Sequence, residues 1–209
     1  MSSGRTSTAP RPTPSVHEQA LEREYGSEPR AQAFYEHQVV DHLNDRMQAF
    51  IQKMDLMFIA TADAEGHCDS SVRAGPPAFV RVLDARRVAY PEYRGNGVMA
   101  SLANMRDNPH ISLLFIDFAD TAIGLHVNGR AHIAGPDDPS WPRTLDDPAA
   151  EFWVIVSVEE AYIHCSKHIP RMTRHAAAIE WGTDDPAKKG GDYFGVSARR
   201  RGLPEPVRS

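Results

Sequence analysis

Residues 94–97 read Arg-Gly-Asn-Gly and stand directly ahead of a helix-forming stretch. Glycines before a helix let the backbone aim its free N–H groups at an anion, and Arg94 adds a fixed positive charge there. That is phosphate chemistry, although Asn-Gly between apolar segments is also the composition of a plain turn. Upstream, Ser71 and Arg73 follow Ser70. Serine is ordinary on the solvent face of a strand, and Arg73 reads either as a ligand contact or as the partner of Asp69 or another carboxylate. Arg81 lies among apolar residues in Phe-Val-Arg-Val-Leu, facing either solvent or a cleft. A third group, His164, Cys165, Lys167 and His168, offers three potential metal donors. Zinc needs a fourth ligand or water, and no other residue is spaced to supply one, so no metal is expected.

These groups need a scaffold. Val40, Leu43, Met47, Phe50, Ile51 and Met54 recur at three- and four-residue steps, predicting one apolar stripe on a helix that starts near Val39 and ends near Lys53. Before it, residues 17–25 and 29–37 favour helices punctuated by Gly26 and Pro29. Residues 56–61 and 67–73 flank turn residues and predict a hairpin; residues 79–83 and 87–90 predict another. The central stretch, residues 88–117, predicts a strand, a loop over 91–97, a helix and a second strand, with the two strands clamping the helix. Long strands are expected over 123–133 and 152–163, with Asn128-Gly129 as a possible two-residue turn. Residues 134–150 form a loop dense in Asp and Pro, and the pattern after Ser166 reads as helix as far as Trp181. Short, mostly antiparallel strands with few helices predict a mainly β, α+β fold: a barrel or sandwich with helices on its flank.

The chain has 209 residues and a net charge of -5, which gives no general basic field, so nucleic acid is not an expected partner. Two cysteines are too few for a disulfide scaffold, and no window is apolar enough to span a bilayer. A cytoplasmic protein is the expectation. The division expected is a disordered lead over 1–16, rich in Ser, Thr, Pro and Arg; one domain over 17–181; and a polar tail over 182–209.

Taken together, FIATADAEG, DSSVRAGPPAFVRVLD, AYPEYRGN, NMRDNPHISLLFID, HVNGRAHI and VEEAYIHCSKHIPR, in that order, resemble the pyridoxamine 5'-phosphate oxidase-like family of FMN-binding split β-barrels. The resemblance covers residues 41–171. It implies FMN as cofactor, with Ser70, Ser71 and Arg73 on one side of its phosphate and Tyr90, Arg94 and Asn96 on the other. It places backbone groups around Val72 at the edge of the isoalloxazine ring. His164 and Lys167 would end the last strand beside the flavin, and Arg81 is the further candidate contact. It also implies a homodimer with the cofactor between subunits, and an oxidoreductase moving hydride or electrons between a donor such as NAD(P)H and a small acceptor. No general acid or base is assigned. The oxidases carry Arg where this chain has Ser71, and an Arg-Lys pair where it has Gly95 and Asn96; they also have a C-terminal segment that holds pyridoxamine phosphate and has no match here. Pyridoxamine phosphate is therefore not the expected substrate. Other split-barrel groups bind haem, for which His126, His132, His164 and His168 are a possible source of ligands, or the deazaflavin F420. A flavin-binding sensor or storage protein is the non-enzymatic alternative.

Overall fold

A computed structural model describes residues 14–141 and 147–175, together with Gly182, Thr183, Asp185, Phe194 and Val196. Most of the expected N-terminal lead and C-terminal tail, and the last part, 176–181, of the helix expected up to Trp181, lie outside the described residues. Two outer helices come first, α1 (Val16–Glu24) and α2 (Glu28–Gln38). Ser15 caps α1 by a reciprocal bond with Glu18, and neither helix buries a residue. The apolar stripe that follows is carried by α3 (Asp45–Lys53), which begins later than its periodicity suggests. Asn44 is the reason: its Oδ1 accepts from Met47 N at 3.0 Å and sets the helix start. Val40 lies outside the helix and pairs instead with Ala161.

Seven antiparallel strands then form one sheet in the order β2-β1-β5-β6-β7-β4-β3. They are β1 (Leu56–Ala62), β2 (Cys68–Ala74), β3 (Arg81–Asp84), β4 (Arg87–Tyr93), β5 (His110–Ile116), β6 (Gly124–Ala134) and β7 (Ala150–His164), with helix α4 (Ala100–Asp107) between β4 and β5. The sheet curls without closing into a continuous ladder: it is a split β-barrel with flanking helices. Met57 and Ile59 of β1, Leu113 and Phe115 of β5, Val127 of β6, and Val154 and Val156 of β7 alternate into the interior and meet Ile51 of α3. Each such buried aliphatic or aromatic side chain contributes roughly 1.5–3 kcal/mol over exposure. A smaller cluster on the opposite face joins Ala89, Ala134 and Trp153 to Trp141 and Ile155.

Four expectations change. Strand β4 continues through Pro91 and Glu92, which pair with Trp153 and Phe152, so the loop ahead of α4 begins only at Arg94. Proline is tolerated because β3 pairs with β4 only as far as Ala89, leaving one side of β4 open beyond it. The strands on either side of α4 do not clamp it, since β4 and β5 are separated by β6 and β7; α4 packs on β1, β2 and β6 instead. Asn128-Gly129 makes no turn. Strand β6 runs straight through it, and the register with β7 shifts there because Glu159 is an extra residue on β7. After Ser166 the described chain forms only a short 3-10 helix, Ser166–His168, rather than an α-helix.

Candidate functional site

Strand alternation divides the residues singled out on β2. Asp69, Ser71 and Arg73 are half-buried, whereas Ser70 and Val72 are exposed on the other face. Arg73 donates from Nε to both carboxylate oxygens of Glu92, at 2.8 and 2.9 Å, and from Nη1 to Ser71 Oγ and the Val72 carbonyl. Strand β2 is one margin of the sheet and β4 lies next to the other, so this ion pair bridges the split of the barrel. The two side chains are 19% and 10% exposed. Burial pushes the Glu92 carboxyl up, against the pull of the Arg73 charge and hydrogen bond. The acidic-partner reading of Arg73 therefore holds, with Glu92 rather than Asp69.

The loop over 94–97 leads into α4 at the same corner. Ser101 Oγ donates to Asp69 Oδ2 at 2.7 Å, Asn104 Nδ2 to Thr61 Oγ1 at 3.1 Å, and Ala64 N to Asp107 Oδ2 at 2.8 Å. Three bonds thus fix α4 against the β1–β2 hairpin. Its N-cap, Met99, supplies no side-chain hydrogen bond, so the first-turn N–H groups have no side-chain cap. Asn96 accepts from Val98 N through Oδ1 at 2.9 Å, Gly97 adopts φ +85°, and residues 94–100 are exposed.

Other candidates lie elsewhere. Tyr90 is fully buried, its hydroxyl 4.0 Å from Met105 Sδ, so the phenol belongs to the core and is corrected out of the phosphate group. Arg81, on β3, has a buried Nε without a hydrogen-bond partner among the described residues. Nearby, Tyr93 donates to Asp147 Oδ2 at 2.8 Å. Burial and the Asp147 carboxylate push the Tyr93 phenol well up, while the charge of Arg81 pulls it down.

Across the outer face, the register aligns Val72, Phe58, Leu114, His126 and Tyr162 in one row over five strands. A parallel row carries Ser70, Ala60, Ser112, Asn128 and Glu160, and part of it lines a groove of about 600 Å³. His126 stacks on Tyr162, with ring centroids 4.7 Å apart, and its Nε2 is 2.8 Å from His164 Nδ1. His164 ends β7, and exposed Lys167 follows in the 3-10 helix. Between β2 and β7 lie four strand spacings, about 19 Å along the sheet. Within one chain, then, the β2 corner and the His164–Lys167 group are separate.

Glu92 and Ser101 have no role in the sequence reading, where Asp69 enters only as a possible partner of Arg73 and His126 only as a possible haem ligand. Glu92 had a signal: it stands two residues after Tyr90 and so shares its buried face once β4 is extended by two residues.

A model of the pyridoxamine 5'-phosphate oxidase family matches residues 43–171. The chain belongs to this family. Among solved structures, similarity of this family member extends to HupZ from group A Streptococcus, at 21% identity over 58% of this chain and 93% of that one, with a TM-score of 0.44. General stress protein 26 from Bacillus anthracis is 14% identical over 55% of this chain and 88% of that one, at 0.38. The conserved hypothetical protein Rv2991 from Mycobacterium tuberculosis is 13% identical over 66% and 96%, at 0.42. None of the curated proteins matches the chain.

Proposed function

We propose that this family member binds FMN at the corner between β2, the 94–97 loop and α4, and acts as an FMN-dependent oxidoreductase on a small molecule other than pyridoxamine phosphate. The observation that carries the reading is the entry to α4: residues 94–100 are exposed and include Arg94, the first turn has no side-chain cap among the described residues, and the buried Ser101 ties it to Asp69 of β2. An uncapped helix N-terminus beside a guanidinium suits a phosphate. The fit is further supported by Arg73, whose Nη2 has no hydrogen-bond partner among the described residues.

Arg94, Asn96, Ser70, Ser71, Arg73 and the backbone at Val72 would hold the cofactor, with Arg81 approaching from β3. Bound FMN supplies the redox chemistry, exchanging hydride or electrons with a donor such as NAD(P)H and with the acceptor. The chain's own residues bind and orient it. The Arg73–Glu92 pair fixes the spacing of the two strands, and α4 is held in place by its bonds to the β1–β2 hairpin.

The working form is proposed to be a homodimer with one FMN at each shared corner. Support comes from the roughly 19 Å of sheet between β2 and His164, which a second copy would span by bringing its own His164 and Lys167 to the corner. Val72, Val98 and Met99 are exposed beside that corner, at 51%, 73% and 51%, as expected of a surface that is covered on assembly. Release of the small molecule from the protein as isolated, by denaturation, and its identification by mass spectrometry tests the reading. FMN supports it; haem, F420 or no cofactor contradicts it.

A further inference from the structure

We propose that His126 positions His164: its Nε2–H donates to Nδ1 of His164, so that His164 offers an Nε2–H donor to the ring of the flavin held at a second copy's corner. This rests on the flavin and the shared corner proposed above, and it adds a residue that acts through another.

On the outer face, Gly124 of β6 lies opposite His164 of β7, and His126 lies opposite Tyr162, so the two histidines meet diagonally. Gly124 makes the meeting possible. A Cβ there would stand 2.7 Å from His164 Cβ, an atom fixed by the strand backbone that cannot swing aside. Tyr162 stacks on the His126 ring with the planes 19° apart. Phe34 of α2 in turn meets Tyr162 edge-on, at a centroid distance of 5.6 Å. These contacts fix the plane of the His126 ring, and its 2.8 Å bond carries that orientation on to His164. They also give α2, which buries no residue, a place in the site.

Where the protons sit follows from the partners available. Burial, and then His164, hold His126 below its ordinary pKa, so at neutral pH its ring has one N–H to place. Placed on Nδ1, that N–H would have no acceptor among the described residues: Glu160 acts on the ring through its charge, and its carboxylate takes a hydrogen bond from Asn128. Placed on Nε2, it donates to His164 Nδ1. A half-buried donor left unpaired is costly, so the second arrangement is favoured. Nδ1 of His164 then accepts, and the His164 proton is on Nε2, on the side of the ring turned away from His126. An N–H fixed there suits an acceptor atom of the flavin ring, and the bond strengthens as the ring gains negative charge on reduction.

Long-range nitrogen–proton NMR of the full chain without flavin, at about pH 8 where an ordinary imidazole is neutral, reads the tautomer of each ring and needs no variant. Both rings are expected to carry the proton on Nε2; a proton on Nδ1 of His164 overturns the assignment. The reduction potential of bound FMN is the second readout, taken in wild type, His126→Phe, His126→Gln, His164→Phe and the double variant His126→Phe with His164→Phe. Each single Phe variant is expected to lower the potential, and the double variant to lower it no further than His164→Phe alone. His126→Gln, whose amide retains an N–H donor, is expected to recover most of the wild-type value. A potential that ignores His126→Phe, losses that add in the double variant, or a Gln variant no better than Phe overturns the positioning role while the flavin reading stands. Wild type that holds no FMN overturns both.

Discussion

His126 Nε2 and His164 Nδ1 stand 2.8 Å apart, so the two imidazoles share one proton between neighbouring strands. Burial, and then the neighbouring His164, lower the His126 pKa below its ordinary value of 6.5, against a smaller opposing pull from Glu160. The folded state therefore favours the neutral ring. A depressed His pKa gives stability that is complete above the unfolded value and is lost as pH falls through the folded value. Melting temperature should fall as pH drops below about 6.5, and His126→Phe should flatten that slope. Equal slopes in the two proteins would contradict the pairing.

Arg73 and Glu92 bridge the split of the barrel, so removing one partner strands a shielded charge. Either Arg73→Met or Glu92→Met should cost about 3–5 kcal/mol by chemical denaturation, and the double variant much less than the sum. Additive losses would show that the pair does not act as a unit.

Asp117 is buried at the end of β5, where it accepts from the backbone N–H groups of Ala119, Asp120 and Thr121 and from the Thr121 hydroxyl. Burial raises its pKa, but these bonds outweigh it and the net direction is down. Its stabilisation is present above the ordinary carboxylate range and disappears as pH falls through the folded value. Asp117→Ala should cost about 1–3 kcal/mol at neutral pH and progressively less in acid, read from denaturation midpoints at several pH values.

Gly129 sits where the β6–β7 register shifts, and a Cβ there would lie 2.0 Å from the Ser157 carbonyl oxygen. Gly129→Ala should cost about 3 kcal/mol, because the clash is with backbone rather than with a side chain that can rotate away. Gly95→Ala meets no atom within 4 Å and serves as the control in the same melting experiment.

The strands were legible in the sequence because their apolar residues alternate, as at Met57 and Ile59 or Leu113 and Phe115, and the family motifs gave the split barrel. The start of α3 was misread because Val40 fits the helical spacing, while the structure places it in a bridge to Ala161. The loop before α4 is shorter than the sequence suggests: Pro91 reads as a strand breaker, and only the short reach of β3 makes it acceptable. At the candidate site, Arg94 and Asn96 carry local loop chemistry and could be found by inspection. The partnership of Arg73 with Glu92 could not, since 19 residues and the curl of the whole sheet separate them. Tyr90 was misplaced for the same reason: which face of β4 meets the core depends on its pairing with β7.

The central proposal is a flavin held at a corner shared by two copies. Sedimentation velocity of the full chain with added FMN, followed in the visible flavin absorption band, measures cofactor and assembly together. The prediction is a flavin-bearing boundary at twice the 23.2 kDa chain mass, with one FMN per chain, and lower flavin occupancy in Arg94→Met at the same FMN concentration. Flavin that stays unbound at the meniscus, or that travels with a single chain, would contradict it.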